Sequence, residues 1–310
     1  MTYPESIDLI VCTRNRAAQL EACLASLEKL QCPVPWSLIV VDNGSTDNTR
    51  EVILAAERRS SVEVRYVYEP TPGLGHAHNA AVRASRAEIL AFTDDDCYPE
   101  SDYLTSVAAC FAEDARLGFL GGKIFIHDPD DCTDTMQLSD VRIDFPSPSF
   151  IPPGVIQGAN FSCRRAAIVA VGGFDPWFGP GAYFNAEEVE LLARLSAAGW
   201  TGAYDPRPTI SHHHGRKAAD MAKILRSYNR GIGAYYAKSL LNPRLTGVYL
   251  RTFLAHILSG RRERSRHEIL SGGVAYLMRV VSDRGKRFAR IGLVAEEHEI
   301  PAALSSASKV

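Results

Sequence analysis

Blocks of apolar residues alternate with amphipathic stretches through the first third of the chain. Ile7 to Cys12 reads IDLIVC, a run bounded by polar residues, which predicts a strand buried on both faces of a parallel sheet. Leu38 to Val41 (LIVV), Val64 to Tyr68 and Glu88 to Thr93 (EILAFT) predict three more strands. Between the first two, Leu20, Cys23, Leu24, Leu27 and Leu30 recur at helical spacing behind Asn15, a residue type that caps helices. Helices are also predicted over about 48–58 and 76–86. The resulting order β-α-β-α-β-α-β predicts an α/β fold with a mainly parallel sheet.

A helix near 100–112 and a strand near 118–126 follow, and then the pattern changes. Residues 127–154 are rich in Asp, Pro and Ser, which predicts a long loop. A strand over Val155 to Cys163, a turn at Gly172-Gly173-Phe174-Asp175 and an amphipathic helix over Ala186 to Ala198 come next, the helix burying Val189, Leu191, Leu192 and Leu195. Ala203-Tyr204 and Thr209-Ile210 read as short closing strands, and 217–240, 245–259 and 266–282 as helices. The predicted organisation is an α/β domain over 1–215, with halves of about 1–126 and 127–215, and a helical segment over 216–310.

The hydrophobic set makes up 46% and charged residues 23% of 310, which excludes a disordered or fibrous chain. No apolar run approaches the ~20 residues of a spanning helix, and the N-terminus carries no basic-then-apolar leader. The 7 cysteines form no CxxC pair, which argues against a disulfide framework or zinc site and for a cytoplasmic location. Charge is strongly segregated. Residues 1–215 hold 16 Lys+Arg against 29 Asp+Glu, whereas 216–290 hold 17 against 4. A basic segment on an acidic body predicts contact with phosphates or an anionic membrane. Leu245 to Leu258 and Ile269 to Val281 flank the run Arg261-Arg262-Glu263-Arg264-Ser265-Arg266. They read either as interfacial helices at the inner face of the plasma membrane or as a helical subdomain with a homodimer contact. No nucleic-acid-binding motif is present.

In open α/β sheets ligands bind outside the carboxyl ends of the strands. Three polar clusters fall there: Thr13-Arg14-Asn15-Arg16, Asp42-Asn43 and Asp94-Asp95-Asp96. Adjacent carboxylates repel one another unless a cation neutralises them, and their oxygens suit Mg²⁺ or Mn²⁺ shared with a substrate diphosphate. The competing reading is a solvated loop that caps the helix after Pro99.

The motifs IDLIVCTRNR, LIVVDNGSTDNT, GLGHAHNAAV, EILAFTDDDCYP and AEEVELLARL, in this order over about residues 6–212, resemble a family 2 glycosyltransferase of GT-A fold. The resemblance implies a metal-dependent, hexosyltransferase-like enzyme that moves a sugar, with inversion, from a nucleotide-diphosphate sugar to a hydroxyl of a glycan or lipid-linked acceptor. It implies that Thr13, Arg14 and Asn15 line the nucleotide pocket and that Asp42 accepts from the base or ribose. An acceptor-only carboxylate suits a uracil or thymine imide, hence a UDP- or dTDP-sugar. Gly73 and Asn79 match the donor loop, where His78 replaces the family's frequent Arg and predicts a weaker or pH-dependent diphosphate contact. Asp94 and Asp96 satisfy the family's DxD motif, with Asp96 on the metal, Asp94 on the ribose side and Asp95 possible through a one-residue shift.

The family's catalytic Glu-Asp pair is matched by Glu187-Glu188, with Glu188 as base and Glu187 as a helix N-terminal or acceptor-binding carboxylate. Of His212-His213-His214, alternate residues of an extended chain share a face, and His212 is the candidate metal or diphosphate ligand. Trp177 and Phe178 are candidates for a sugar-stacking platform. Two rivals stand beside this reading: a sugar-nucleotide pyrophosphorylase, whose glycine-rich, lysine-bearing N-terminal loop is absent, and a non-catalytic nucleotide-sugar-binding protein.

Overall fold

The first four apolar runs pair side by side because both of their faces are covered. The computed structural model describes residues 2–133, 136–258 and 263–283. Strands β1 (Ile7–Thr13), β2 (Trp36–Asp42), β3 (Val64–Tyr68) and β4 (Ile89–Asp94) run parallel in the spatial order β3-β2-β1-β4. Helices α1 (Ala17–Leu27), α2 (Thr49–Arg59) and α3 (Leu74–Ala84) connect them. Alternate residues of one strand enter different cores: Leu9 and Val11 pack in the layer that includes Leu20 and Leu24 of α1, and Ile10 in the layer that includes Ala77 and Ala81 of α3. Two-sided burial explains why these strands read as unbroken apolar runs.

Strands β5 (Cys97–Pro99), β6 (Leu117–Ile126), β7 (Ile143–Phe145), β8 (Phe161–Arg164) and β9 (Thr201–His212) complete a mixed sheet of order β3-β2-β1-β4-β8-β6-β9-β5, with β7 also on β9. β8 is antiparallel to β4 and β6, and β5 and β7 are antiparallel to β9, so parallel pairing dominates only the first half. Helices α4 (Tyr103–Glu113), α5 (Arg165–Ala170) and α6 (Glu187–Ala197) cover the sheet.

Several local expectations are corrected. Asn15 does not cap α1; it takes a left-handed φ of 54°, and Asp47 Oδ2 accepts the Ala17 N–H at 3.2 Å instead. The strand predicted over 155–163 shortens to β8, with the unforeseen α5 directly after it. The two short closing strands are one: β9 spans 12 residues, and its pairing to β6 shifts register between Gly121 and Lys123, opposite Pro206 and Pro208. Proline is tolerated in a sheet at such irregularities.

Helices α7 (Ala218–Leu240), α8 (Thr246–Leu258) and α9 (Glu263–Ser282) follow. The core layer under α3 and α6 continues into them through Tyr235, Tyr249, Ile269 and Tyr276. Tyr235 donates to the Ile151 carbonyl at 2.8 Å, which fastens α7 to the long loop. No helix among the described residues is long and apolar enough to cross a membrane. Arg261 and Arg262 of the basic run, and the segment 284–310, lie outside the described residues.

Helices α7 and α9 touch backbone to backbone. A Cβ on Gly233 would stand 1.8 Å from the Ile269 carbonyl oxygen, and one on Gly272 2.0 Å from that of Arg230. In an open helix Gly→Ala stabilises by about 1 kcal/mol. Here the sign should reverse, because the added methyl meets backbone that cannot rotate away. Gly233→Ala is expected to lose about 1–3 kcal/mol in urea unfolding; a stabilised variant would show that α9 does not press on this position.

Candidate functional site

Three adjacent strand ends deliver the polar clusters to one edge of the sheet, since Thr13 lies opposite Asp42 and Cys12 opposite Asp94 in the parallel register. Asp95 turns inward, where its carboxylate accepts from Thr13 Oγ1 at 2.6 Å and pairs with Arg16 Nη1 at 2.7 Å. Burial raises its pKa to about 6 against the pull of those partners. Asp96 meets Arg16 Nη2 at 2.6 Å and His212 Nε2 at 3.1 Å. Burial works upward on Asp96 as well, but the hydrogen bond and charge of His212, with Arg16, outweigh it and hold the carboxyl at about 2. The repulsion within the triplet is thus relieved in part by Arg16, a residue of the first polar cluster that the motif assignment passed over.

Asp94, Asp96, Cys97 and His212 each place one donor atom within 4.8 Å of the others. β5 and β9 create this meeting by pairing Cys97 with His212. The Cys97 thiol is pushed well above its ordinary pKa by burial and by Asp94 and Asp96, so it stays protonated and is a weak ligand. Two carboxylates and an imidazole nitrogen remain. His212 aims Nε2 at the carboxylates, and its buried Nδ1 has no hydrogen-bond partner. This donor set fits a divalent cation such as Mg²⁺ or Mn²⁺.

His213 is exposed, whereas His214 Nε2 lies 2.9 Å from the Cys132 carbonyl oxygen. Among the three, His212 alone meets Asp94 and Asp96; His214, on the same side of the chain, is taken up by Cys132 and Asp131 instead.

At the end of β2, the buried Asp42 accepts from Ser45 N–H at 2.8 Å and from the Tyr66 hydroxyl at 3.2 Å. Asn43, placed in the second polar cluster by the sequence but given no role of its own, organises the loop. Its amide donates to the carbonyls of Glu69 (3.1 Å) and Thr71 (2.7 Å), and its oxygen accepts the Gly73 N–H at 2.8 Å. Gly73 holds a φ of 127°, which only glycine adopts without strain. Arg14 and Asn15 sit exposed at the rim, with Asn15 Oδ1 accepting from Thr46 N–H at 2.7 Å.

Two residues of the donor loop have structural partners. Asn79 exchanges hydrogen bonds with the Phe174 backbone, at 2.9 Å as donor and 2.8 Å as acceptor. His78 is buried with ring centroids 5.1 Å from Phe92 and 4.6 Å from Phe174, and burial drives its pKa down to about 3. It is a neutral core residue, which overturns the expected pH-dependent diphosphate contact.

The glutamate pair is introduced by Ala186, a non-glycine residue held at φ 83° immediately before α6. Such strain persists where surrounding structure enforces it. Glu187 is buried, and its carboxyl is raised well above the ordinary range by burial and by the charge of Glu188. Glu188 is half-buried, and burial lifts it to about 7, with Asp94 adding to the rise and backbone N–H groups of α6 opposing it. The charge of Asp94 raises both glutamates, so the start of α6 lies within electrostatic reach of the end of β4. Behind them Glu190 is chelated by Arg194 at 2.7 and 2.8 Å and paired with Lys238, which also reaches Asp175 at 2.6 Å. This buried network ties α6 to α7.

Phe178 is fully buried, and the Trp177 ring packs on Tyr276 at 6.1 Å. Both serve the core and α9, so the expected sugar-stacking platform is not formed by them.

Comparison with known proteins bears on this site. Residues 8–145 match the family described as "Glycosyl transferase family 2". The chain is similar to a validoxylamine A glucosyltransferase of Streptomyces hygroscopicus subsp. limoneus, at 31% identity over 40% of this chain and 27% of that protein. It spans 27% to 29% of the length of the first curated relatives it matches. An N-acetylglucosaminyl-diphospho-decaprenol L-rhamnosyltransferase of Mycobacterium tuberculosis matches at 27% identity over 84% of this chain and 96% of its own length. Among solved structures, the mannosyltransferase PcManGT of Pyrobaculum calidifontis in complex with GDP-Man and Mn²⁺ superimposes with TM-score 0.63 at 18% identity, over 98% of this chain and 78% of its own. S. aureus TarS 1-349 in complex with UDP-GlcNAc gives 0.60 at 16% identity, over 86% and 79%. At these identities the two structures establish the shared fold.

Proposed function

On the match of residues 8–145 to the family described as "Glycosyl transferase family 2", we propose that the protein transfers a sugar, with inversion, from a nucleotide-diphosphate sugar to a hydroxyl of a glycan or lipid-linked saccharide. The observation that carries this reading is the gathering of Asp94, Asp96 and His212 donor atoms within 4.8 Å of one another at the strand ends. Glu188, lifted to about 7 by burial with Asp94 adding to the rise, is the base for an acceptor hydroxyl in this reading.

In this reading Thr13, Arg14, Asn15 and Asp42 hold the nucleoside, with Asp42 accepting from a uracil or thymine imide and favouring a UDP- or dTDP-sugar. Gly73 and Asn79 shape the donor loop rather than touch the phosphates. Asp96 and His212, joined by Asp94, would hold Mg²⁺ or Mn²⁺, with Asp95 and Arg16 orienting them. The ion, when bound, supplies positive charge that stabilises the departing diphosphate. Glu188 accepts the proton of the acceptor hydroxyl, whose oxygen forms the new bond to the anomeric carbon. The old anomeric C–O bond breaks on the opposite face, and its electron pair leaves with the nucleoside diphosphate. Glu187, protonated, orients the acceptor or its neighbour.

A thermal-shift panel tests the reading. Among UDP-, dTDP- and GDP-sugars, each with and without Mn²⁺, the donor is expected to raise the unfolding midpoint, and to raise it further when Mn²⁺ is present. A ligand at about 100 times its Kd adds about 2.7 kcal/mol. A midpoint that no nucleotide sugar moves, with or without the ion, removes the proposal.

A further inference from the structure

Helix α9 buries one face and leaves the other bare. Ile269, Gly272 and Tyr276 pack inward. Leu270, Val274, Leu277, Met278 and Val281 are 47%, 55%, 42%, 68% and 62% exposed, and they recur along one stripe of the helix. Large side chains so aligned on a surface mark a place where something else is covered.

Beside the first turns of this stripe a cleft opens between α7 and α9. It is walled by Arg226, Ser227 and Arg230 of α7 and by His267, Glu268 and Ser271 of α9, with Tyr183 at its rim. Arg226 and Arg230 are exposed, one turn apart, and neither forms an ion pair among the described residues. Glu268 is the single acid among the described residues of the lining, where its buried Oε2 has no hydrogen-bond partner, so the cationic groups outnumber it.

We propose that this face docks on an anionic lipid surface, with the α9 stripe entering the interface and Arg226, Arg230 and His267 taking the phosphate of a lipid headgroup. Charge selects this occupant over a second copy of the chain. The cleft sets Arg226, Arg230 and His267 against Glu268, within a segment, 216–290, whose sequence holds 17 Lys+Arg against 4 Asp+Glu, so two copies of this face brought together around a twofold axis repel each other. An anionic surface attracts them. The same surface repels the rest of the molecule, where 29 Asp+Glu oppose 16 Lys+Arg, and so one orientation is imposed.

That orientation serves the reaction. The cleft adjoins the glutamate pair, because Asn185 Nδ2, just before Glu187, donates to Ser227 Oγ at 2.9 Å. The further consequence that the acceptor is presented from the lipid surface rests on the proposed glycosyl transfer; the docking itself does not.

Sedimentation of the full chain with vesicles of phosphatidylcholine, alone or mixed with phosphatidylglycerol, provides the test. The protein should pellet with the mixed vesicles and stay in solution with the neutral ones. A double substitution Val274→Asp/Leu277→Asp is expected to abolish pelleting. Arg226→Gln/Arg230→Gln should weaken it about tenfold or more and reduce its salt sensitivity. The nucleotide-sugar thermal shift, measured without vesicles, serves as the folding control and reports on the donor site separately. Pelleting of the Val274→Asp/Leu277→Asp protein like the parent, or no pelleting of the parent with mixed vesicles, overturns the proposal. So does light scattering that shows a dimer which the aspartates dissociate while no vesicle binding is seen.

Discussion

Glu188→Gln should lower kcat by about 10²–10⁴-fold and leave donor affinity nearly unchanged. The amide has the shape of the carboxylate but cannot take up the acceptor's proton, so what is lost is a contribution made in the transition state alone. The pH dependence carries a second signature. A base must be ionised to act, and burial places this carboxyl at about 7, so activity should be present above that value and fall as pH drops through it. Asp94 contributes to the upward shift, so a divalent ion on Asp94 should move the limb to lower pH. In the Gln protein the residual rate should lose this limb. Steady-state rates across pH, with donor binding measured in parallel, check both parts. Full activity in the variant would assign the proton to another group, and Glu187, deeper and raised further, stands next to it.

Asp96→Ala is expected to cost the reaction about 10²-fold or more in kcat/KM and, unlike Glu188→Gln, to weaken donor binding as well. Asp96 is the meeting point of the site, with His212 on one oxygen and Arg16 on the other. Removing it deletes a ligand atom and frees His212 and the Arg16 guanidinium from a partner that oriented both. The Mn²⁺-dependent part of the nucleotide-sugar thermal shift should vanish, while the shift from Mn²⁺-independent contacts at Asp42 and Thr13 remains. Donor binding with Mn²⁺ equal to that of the parent would take Asp96 out of the site. The two variants thus separate the two roles: one loses turnover with binding intact, the other loses both.

The amino-acid order alone established the layered α/β class, the first four strands and their intervening helices, and the chemical character of the strand ends. The reason is local. A strand covered on both faces must be apolar throughout, and a ligand-facing turn must be polar, so IDLIVC followed by Thr13-Arg14-Asn15 announces both. The Asp94 to Asp96 triplet was visible for the same reason, whereas Glu187-Glu188, at the start of a helix, was singled out by its resemblance to the family's Glu-Asp pair. Only the tertiary structure decided how partners distant along the chain use these groups. Arg16 reaches Asp96 across 80 positions, and Asn43 secures Gly73 across 30. His78 and Phe178, which look like site residues between glycines, vanish into the aromatic core because α3 and the loop before α6 pack on one another. Likewise Leu270 and Tyr276 of α9 read alike in sequence, and only the close crossing on Gly233 determines which faces inward. Periodicity records that a face is apolar; which neighbour covers it depends on the packing of segments far apart in the chain.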